Sequence, residues 1–546
     1  MKNSEKLLIA ALVVMTVASG GLAMARRGGP NGGPTRDSRR DAPPNKSREV
    51  TIVSTGSTAD VQAIQTAVDD PAVDVVKLSG TFEFGVDGGV WITRAGVTVT
   101  GEGKDRPVIN GGGAFRTVYI NYGGTETWER HHRYVFGINA PGVTIRGLEF
   151  RNFDTEAIFV LGGSPDPRPV VIDDNVMSTE NIAGMEELMS AAVGSHYTGG
   201  WPMRISNNKM TGSTGGIVAS WSGYYLNESG QDTYGGSPLD IVNNEITTNV
   251  PPDQLVDGIL VLGWNTFESI HPDPEWGDNG PVLITGNTVN YNDSPATSWG
   301  GLAIGIGRSA MGLNHCLVAN NTITGHGMAG IVKYSYGHDN QIVGNDLSGF
   351  AAWDGQIWVF AADTLVSKNI LGLANEFEGY TSGIWVFATL VHPGLCPMPV
   401  PLENVMILNN DYTHISDASG SSAAGIWVAS NADWCYEWDE AGDCTEAGQG
   451  QGNEVRNNTI VEPAKSWGVK PADLAETLAN QVYLQPSNDG VGPQMVHDNK
   501  IFGLNATKKD VAQAVKDAKK MTEVLKEMHK RMFKIRPAGF TPKLRK

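Results

Sequence analysis

Trp358, Trp385, Trp427 and Tyr483 hold the same place in a short recurring phrase, Ile-Trp-Val or its Val-Tyr-Leu variant, and Tyr334, Phe360 and Phe387 stand in the next alternate place. Rings at such intervals can stack on the faces of successive sugars. Equally they can be covered by a long loop, by a second copy of the chain or by the C-terminal segment, because solvent does not see that much apolar area without a reason. Lys333, in Gly330-Ile331-Val332-Lys333, adds an amine. Partly withdrawn from water, an amine has a lowered pKa suited to abstracting a proton beside a carboxylate. If Ile331 points inward so does Lys333, at a cost, and the reading adopted is a solvated lysine at a bend. Glu437, Asp439, Glu440 and Asp443 crowd residues 433–446 without the spacing or glycine of a calcium loop, and read as a solvated acidic excursion. The four cysteines fit no zinc pattern. Cys435 and Cys444 share that acidic loop and are expected to close it in an oxidising compartment, with Cys396 a competitor and Cys316 buried in a repeat strand. Four free thiols are the alternative.

What must position these groups is a repeat. Ten times an aliphatic residue is followed three positions on by asparagine and two later by another apolar residue, at Asn175, Asn208, Asn244, Asn287, Asn321, Asn345, Asn369, Asn410, Asn458 and Asn499. The intervals of 33, 36, 43, 34, 24, 24, 41, 48 and 41 residues describe a minimal unit of 24 lengthened by insertions. Such repetition marks an array in which each unit buries its apolar face only against its neighbours. A second phrase follows each asparagine, as in Ala157-Ile158-Phe159-Val160, Gly258-Ile259-Leu260-Val261, Gln356-Ile357-Trp358-Val359 and Gly425-Ile426-Trp427-Val428. Short strands of period two, met in the same order, predict a coiling chain whose like strands stack in parallel about 4.8 Å apart. The fold expected is all-β, a single-stranded right-handed parallel β-helix over residues 51–507. The asparagine amides are expected to bond the coils above and below, and to supply the left-handed backbone that the bend demands.

The ends differ from the body. Lys2, Lys6, an apolar stretch over 7–22 and Ala23-Met24-Ala25 read as a signal peptide over 1–25, an uncleaved membrane anchor being the alternative. Residues 26–50 are a basic Gly/Pro/Arg linker. A short helix capped by Ser57 or Thr58, with Val61, Ile64 and Val68 on one face, is expected to close the N-terminal end of the stack. Residues 508–533 follow the spacing of a basic amphipathic α-helix, and 534–546 form a basic tail. The 41 basic and 59 acidic side chains divide into 9 and 4 in residues 1–50, 13 and 4 in residues 508–546, and 19 and 51 between them. A body with net charge −32 excludes nucleic acid as a partner and fits neutral sugars, cations or the chain's own basic ends.

Signal, capping helix, asparagine ladder and Gly-Ile strands together resemble the right-handed parallel β-helix proteins of the pectin-lyase-like superfamily. The resemblance implies a ligand groove along the outer face of the Gly-Ile sheet and, for the lyases, a frequent use of calcium. Polygalacturonase-like hydrolases give a residue-level comparison. Asp257-Gly258-Ile259 and Gly325-His326-Gly327 are similar to two of their elements, whereas Trp299-Gly300-Gly301-Leu302 stands where their acidic pair belongs and Trp353-Asp354-Gly355-Gln356 where their Arg-Ile-Lys belongs. Inverting hydrolysis needs two carboxyl groups about 6.5 to 9.5 Å apart. Asp257 and Asp354 lie three rungs apart, about 14 Å by strand spacing. His326, one rung from Asp354, can act with it as acid or base, or be a turn histidine exposed by its glycines.

The reading adopted is an exported protein that binds or cleaves an extracellular or cell-envelope polysaccharide. Asp257, His326 and Asp354 are its catalytic candidates, and Trp358, Trp385, Trp427, Tyr483, Tyr334, Phe360 and Phe387 its binding candidates. The alternative is a non-catalytic extracellular scaffold whose aromatic stripe packs against its own C-terminal helix or a second copy.

Overall fold

The computed structural model describes residues 48–502 apart from loop segments, the longest being 180–190, 264–280, 293–300, 388–401, 413–423, 462–481 and 485–494. The signal, the C-terminal helix and tail, and Asn499 lie outside the described residues. The described coils belong to one compact unit, Glu49–Lys546.

Each coil contributes strands to three rows. The first row is a parallel sheet of fourteen strands among the described residues, beginning with Glu49–Val53 and Val75–Ser79 and ending with Met495–His497. Its inward side is a ladder of the aliphatic residues that precede the asparagines: Ile145, Ile172, Ile205, Ile241, Ile284, Val318, Ile342, Val366, Ile407 and Val455 are neighbours in register. The second row follows the asparagine and the third carries the Gly-Ile phrase. These two merge where Thr322–Lys333 and Asp346–Val359 run through as single long strands. Inside the third row Phe136, Ile158, Val193, Ile217, Ile259, Ile304, Ile331, Ile357 and Ile384 stack in register, all fully buried. This is the right-handed parallel β-helix expected, its core extended coil by coil.

The asparagine ladder is continuous through all nine described copies. Asn175 donates from both its backbone N–H and its Nδ2 to the Oδ1 of Asn208, each at 3.0 Å, and the same Nδ2 reaches back to the Ile145 carbonyl at 3.1 Å. Asn208, Asn244, Asn287, Asn321, Asn345, Asn369 and Asn410 repeat the pattern onto their successors, ending on Asn458. One part of the expectation is corrected. The left-handed residue is the one before each asparagine, namely Asp174, Asn207, Asn243, Gly286, Asn320, Gly344, Lys368 and Asn409. Separating the tasks is physically sensible: the turn is made at a position that is exposed in most coils, and the amide enters the wall in an ordinary conformation.

The helix Ala59–Asp69 seals the first coil, with Ile64 and Val68 fully buried. Thr58 precedes it without a side-chain cap; the Asp60 carboxylate instead accepts from the Thr55 backbone N–H and from the Ser54 and Thr55 hydroxyls. Gln65 then pairs with both backbone groups of Trp91, donating to its carbonyl and accepting from its N–H at 2.8 Å each. The side-chain amide so does for the open edge of Val90–Ile92 what a further strand would do. The first strand, Glu49–Val53, reaches two residues into what the sequence assigned to the linker.

Candidate functional site

The outward side of the third row is where a groove would run. Register places Trp358, Trp385, Trp427 and Tyr483 side by side on consecutive coils, as alternate counting predicts. Followed toward the N-terminus, the same column reads Val332, Gly305, Leu260, Val218, Gly194, Phe159, Gly137 and Trp91. Trp358 and Trp385 stack at 5.4 Å with planes 13° apart, and Phe360 meets Trp358 edge-on at 6.0 Å. Trp358 is 8% and Phe360 5% exposed, in an outer cluster with Leu302, Ala329 and Val332, while Trp385 is half-buried. Trp358 therefore offers no open face, although its buried indole N–H has no hydrogen-bond acceptor among the described residues. The side chains of Tyr334, Phe387, Trp427, Tyr483 and Asp354 lie outside the described residues.

Asp257 is buried, and its Oδ1 accepts the Leu302 backbone N–H of the next coil at 2.8 Å. Its column runs through Leu302, Ala329 and Gly355, so Asp354 is three coils away. Asp257→Ala should cost about 1–3 kcal/mol by stranding a buried N–H, whereas Asp257→Asn, which keeps an acceptor, should cost less. Thermal denaturation of the two variants checks the order.

His326 is half-buried between Asn292 and Ala351. Its glycines answer to packing. Gly325 has φ +99°, and a Cβ there would fall 2.0 Å from the Tyr291 carbonyl, while one on Gly327 would fall 2.8 Å from the Tyr291 ring. The Gly-His-Gly sequence thus wraps a fully buried tyrosine.

Lys333 overturns its sequence reading. It is fully buried, in register with Ile306 and Val359, because the strand runs straight and parity carries the lysine inward with Ile331. Burial pushes its amine down to about 8, an effect that the nearby Cys316 slightly opposes, and burial pushes the Cys316 thiol up to about 12. The amine faces the core, away from any groove. Cys316 is a free, buried thiol in a repeat strand, as expected. The Cys435 and Cys444 side chains lie outside the described residues; their backbones form an antiparallel hairpin. Among the described residues no group of three or more His, Cys, Asp or Glu is placed to hold a metal, and no helix is long and apolar enough to cross a membrane.

Sequence reasoning missed a second aromatic group at the other end of the column. Tyr134 stacks on Phe159 at 4.8 Å with planes 9° apart, and Trp91 meets Tyr134 at 4.8 Å and 85°. All three rings are half-buried. Beside them lies Glu156, buried and in register with Tyr134. Burial, and then the charge of Glu156, push the Tyr134 phenol up to about 12. Alternate counting applied to Val90-Trp91-Ile92 and Ile158-Phe159-Val160 would have found Trp91 and Phe159.

A protein-family profile described as a right-handed β-helix region matches residues 131–347. No curated protein sequence matches the chain. Among solved structures the chain is similar to a PL6 family polysaccharide lyase from Pseudopedobacter saltans, at 12% identity over 84% of this chain and 94% of that one, TM-score 0.47. It is similar also to the A-module of the Azotobacter vinelandii mannuronan C-5 epimerase AlgE4, at 13% identity over 82% and 91%, TM-score 0.39. A third is a mannuronic acid specific family 6 lyase from human gut microbiota, at 12% identity over 85% and 90%, TM-score 0.44. The chain is a right-handed parallel β-helix protein.

Proposed function

We propose that this is an exported protein that binds an extracellular polysaccharide along the outer face of its third strand row. The observation that carries the reading is the aromatic column there, in which the half-buried Trp385 stacks on Trp358. For cleavage of hydrolase or lyase type the acid–base candidates are His326 and Asp354 on adjacent coils, since Asp257 is already committed to Leu302. A second reading has its own support: the burial of Trp358 and Phe360 favours a non-catalytic scaffold whose stripe is packed over by its own chain.

The test is to run the purified protein through affinity gels containing neutral, cationic and acidic polysaccharides while following reducing ends and the absorbance of unsaturated products. Retention is expected, weakened about tenfold by Trp385→Ala, the loss of one aromatic contact. New reducing ends with no unsaturation mark a hydrolase, both together a lyase, and retention without product a binder. No retention and no product on any polysaccharide sinks the glycan reading and leaves the scaffold.

A further inference from the structure

The N-terminal end of the column is built differently from the covered Trp358 region: its rings are half-buried and meet at a corner. A Cβ placed on Gly137 would lie 2.7, 2.8 and 2.9 Å from three consecutive atoms of the Trp91 ring, Cε3, Cζ3 and Cδ2. Near-equal distances to three adjacent atoms mean that the ring's face, not its edge, lies against the glycine. Trp91 is therefore laid flat on the sheet, half-buried. Tyr134, at 85° to it and backed by Phe159, makes an upright wall. The floor is held in place from below, because Gln65 bonds both backbone groups of Trp91.

The column next opens over a second glycine. A Cβ on Gly194 would fall 2.8 Å from Glu156 Cγ and 3.3 Å from Glu156 Oε1, so the carboxylate side chain lies across the outer face where a larger residue would displace it. Gly137, Phe159 and Gly194 are successive places in the column after Trp91. Three coil steps, about 14 Å, separate Trp91 from Gly194, the reach of an oligosaccharide rather than of one sugar.

We infer that Trp91, Tyr134, Phe159 and Glu156 form a subsite for a glycan without negative charge, made of neutral or amino sugars, with a sugar ring seated on Trp91. The inference rests on the glycan reading above and specifies its substrate class. A flat indole face takes the apolar face of a sugar ring, and holds an ammonium group better than the other aromatic rings do. A carboxylate accepts from hydroxyl or ammonium groups and repels a second carboxylate. The net charge of −32 over residues 51–507 acts in the same direction, depleting polyuronates near the surface relative to neutral and cationic chains. Preorganisation by Gln65 and Gly137 spares the ordering cost that weakens glycan binding.

Calorimetric titration of the full chain with cello-, manno- and glucosamine hexamers and with a guluronate hexamer tests the inference. At least one uncharged or amino hexamer should bind, and the guluronate hexamer at least tenfold more weakly. Trp91→Ala should weaken that binding about tenfold, and Gly137→Ala, which removes no aromatic group but lifts the indole off the sheet, by a similar factor; Trp91→Phe should retain most of it. Glu156→Gln should weaken the amino sugar more than the neutral ones. Circular dichroism and thermal midpoints show that each variant is folded, and Trp91→Phe with Gly137→Ala decide the matter if Trp91→Ala does not fold. Neutral or amino-sugar binding untouched by Trp91→Ala and Gly137→Ala overturns the subsite, as does tighter binding of guluronate; both leave the glycan reading standing. No binding of any hexamer, with no retention on any polysaccharide, removes both.

Discussion

Asn345→Leu is expected to destabilise the middle of the stack by about 4 kcal/mol while leaving the coils at either end nearly as they were. Asn345 Nδ2 donates to the Val318 carbonyl at 3.0 Å and to Asn369 Oδ1 at 2.9 Å, and its Oδ1 accepts from the backbone N–H of Asn321 at 3.1 Å and from its Nδ2 at 2.9 Å. Leucine has the same branched outline, with bulkier methyl groups, and makes none of these. The residue is fully buried, so water cannot take over. At least the Asn321 N–H loses its acceptor and the Val318 carbonyl a donor, each at about 1–3 kcal/mol. In a solenoid every coil is held by its two neighbours alone, so the loss stays local. Hydrogen exchange reads it out: amides around Asn321 and Asn369 should exchange roughly several hundredfold faster, with amides near Ile172 and earlier unchanged. Asn320→Gly, one coil away and next to Asn321, at a positive φ that glycine adopts freely, should change little. Equal exchange at Asn321 in Asn345→Leu and the parent would remove the ladder from the account of stability.

The contrast between these neighbours explains what the sequence made legible. The ladder asparagine stands out because only a short side chain with both a donor and an acceptor bonds the coil on each side, so one residue type recurs ten times. The turn before it leaves no such trace, since Asp174, Asn207, Gly286 and Lys368 all serve. The aromatic column was legible by parity, because a strand's period of two is strict. Its cover was not, since burial of Trp358 depends on what lies across the face and not on the strand itself. Gly325-His326-Gly327 looked like chemistry, yet the glycines answer to Tyr291, a residue one coil away that no local pattern connects to them. Glu156 and Tyr134 escaped notice because the Gly-Ile phrase is weakest in the first coils, where Tyr134–Ile138 has its glycine late in the strand.

Lys333→Met is expected to stabilise the protein by about 3 kcal/mol at pH 7 and to lose that advantage above pH 10.5. Lys333 is fully buried between Ile306 and Val359 in the inward column, and burial holds its amine near 8 against an ordinary value of 10.5. The unfolded chain therefore binds more protons than the folded one between those two values. Below pH 8 the lysine is charged in both states and the folded state bears the full cost of a buried ammonium, about 3 kcal/mol for 2.5 pH units. As pH rises from 8 to 10.5 that cost disappears, since the folded lysine is neutral first. Methionine has much the same length and shape, no proton to lose and no charge to bury, and buried charges replaced by apolar side chains of like volume commonly stabilise. Cys316 does not confuse the comparison: its thiol, pushed up to about 12, stays protonated throughout. Denaturant midpoints of parent and variant at pH 7, 8.5 and 10.5 should converge as pH rises. A parallel pair of curves, or a variant less stable at pH 7, would mean that the amine is held in its charged form inside the coil, and that its neighbours meet a positive charge there.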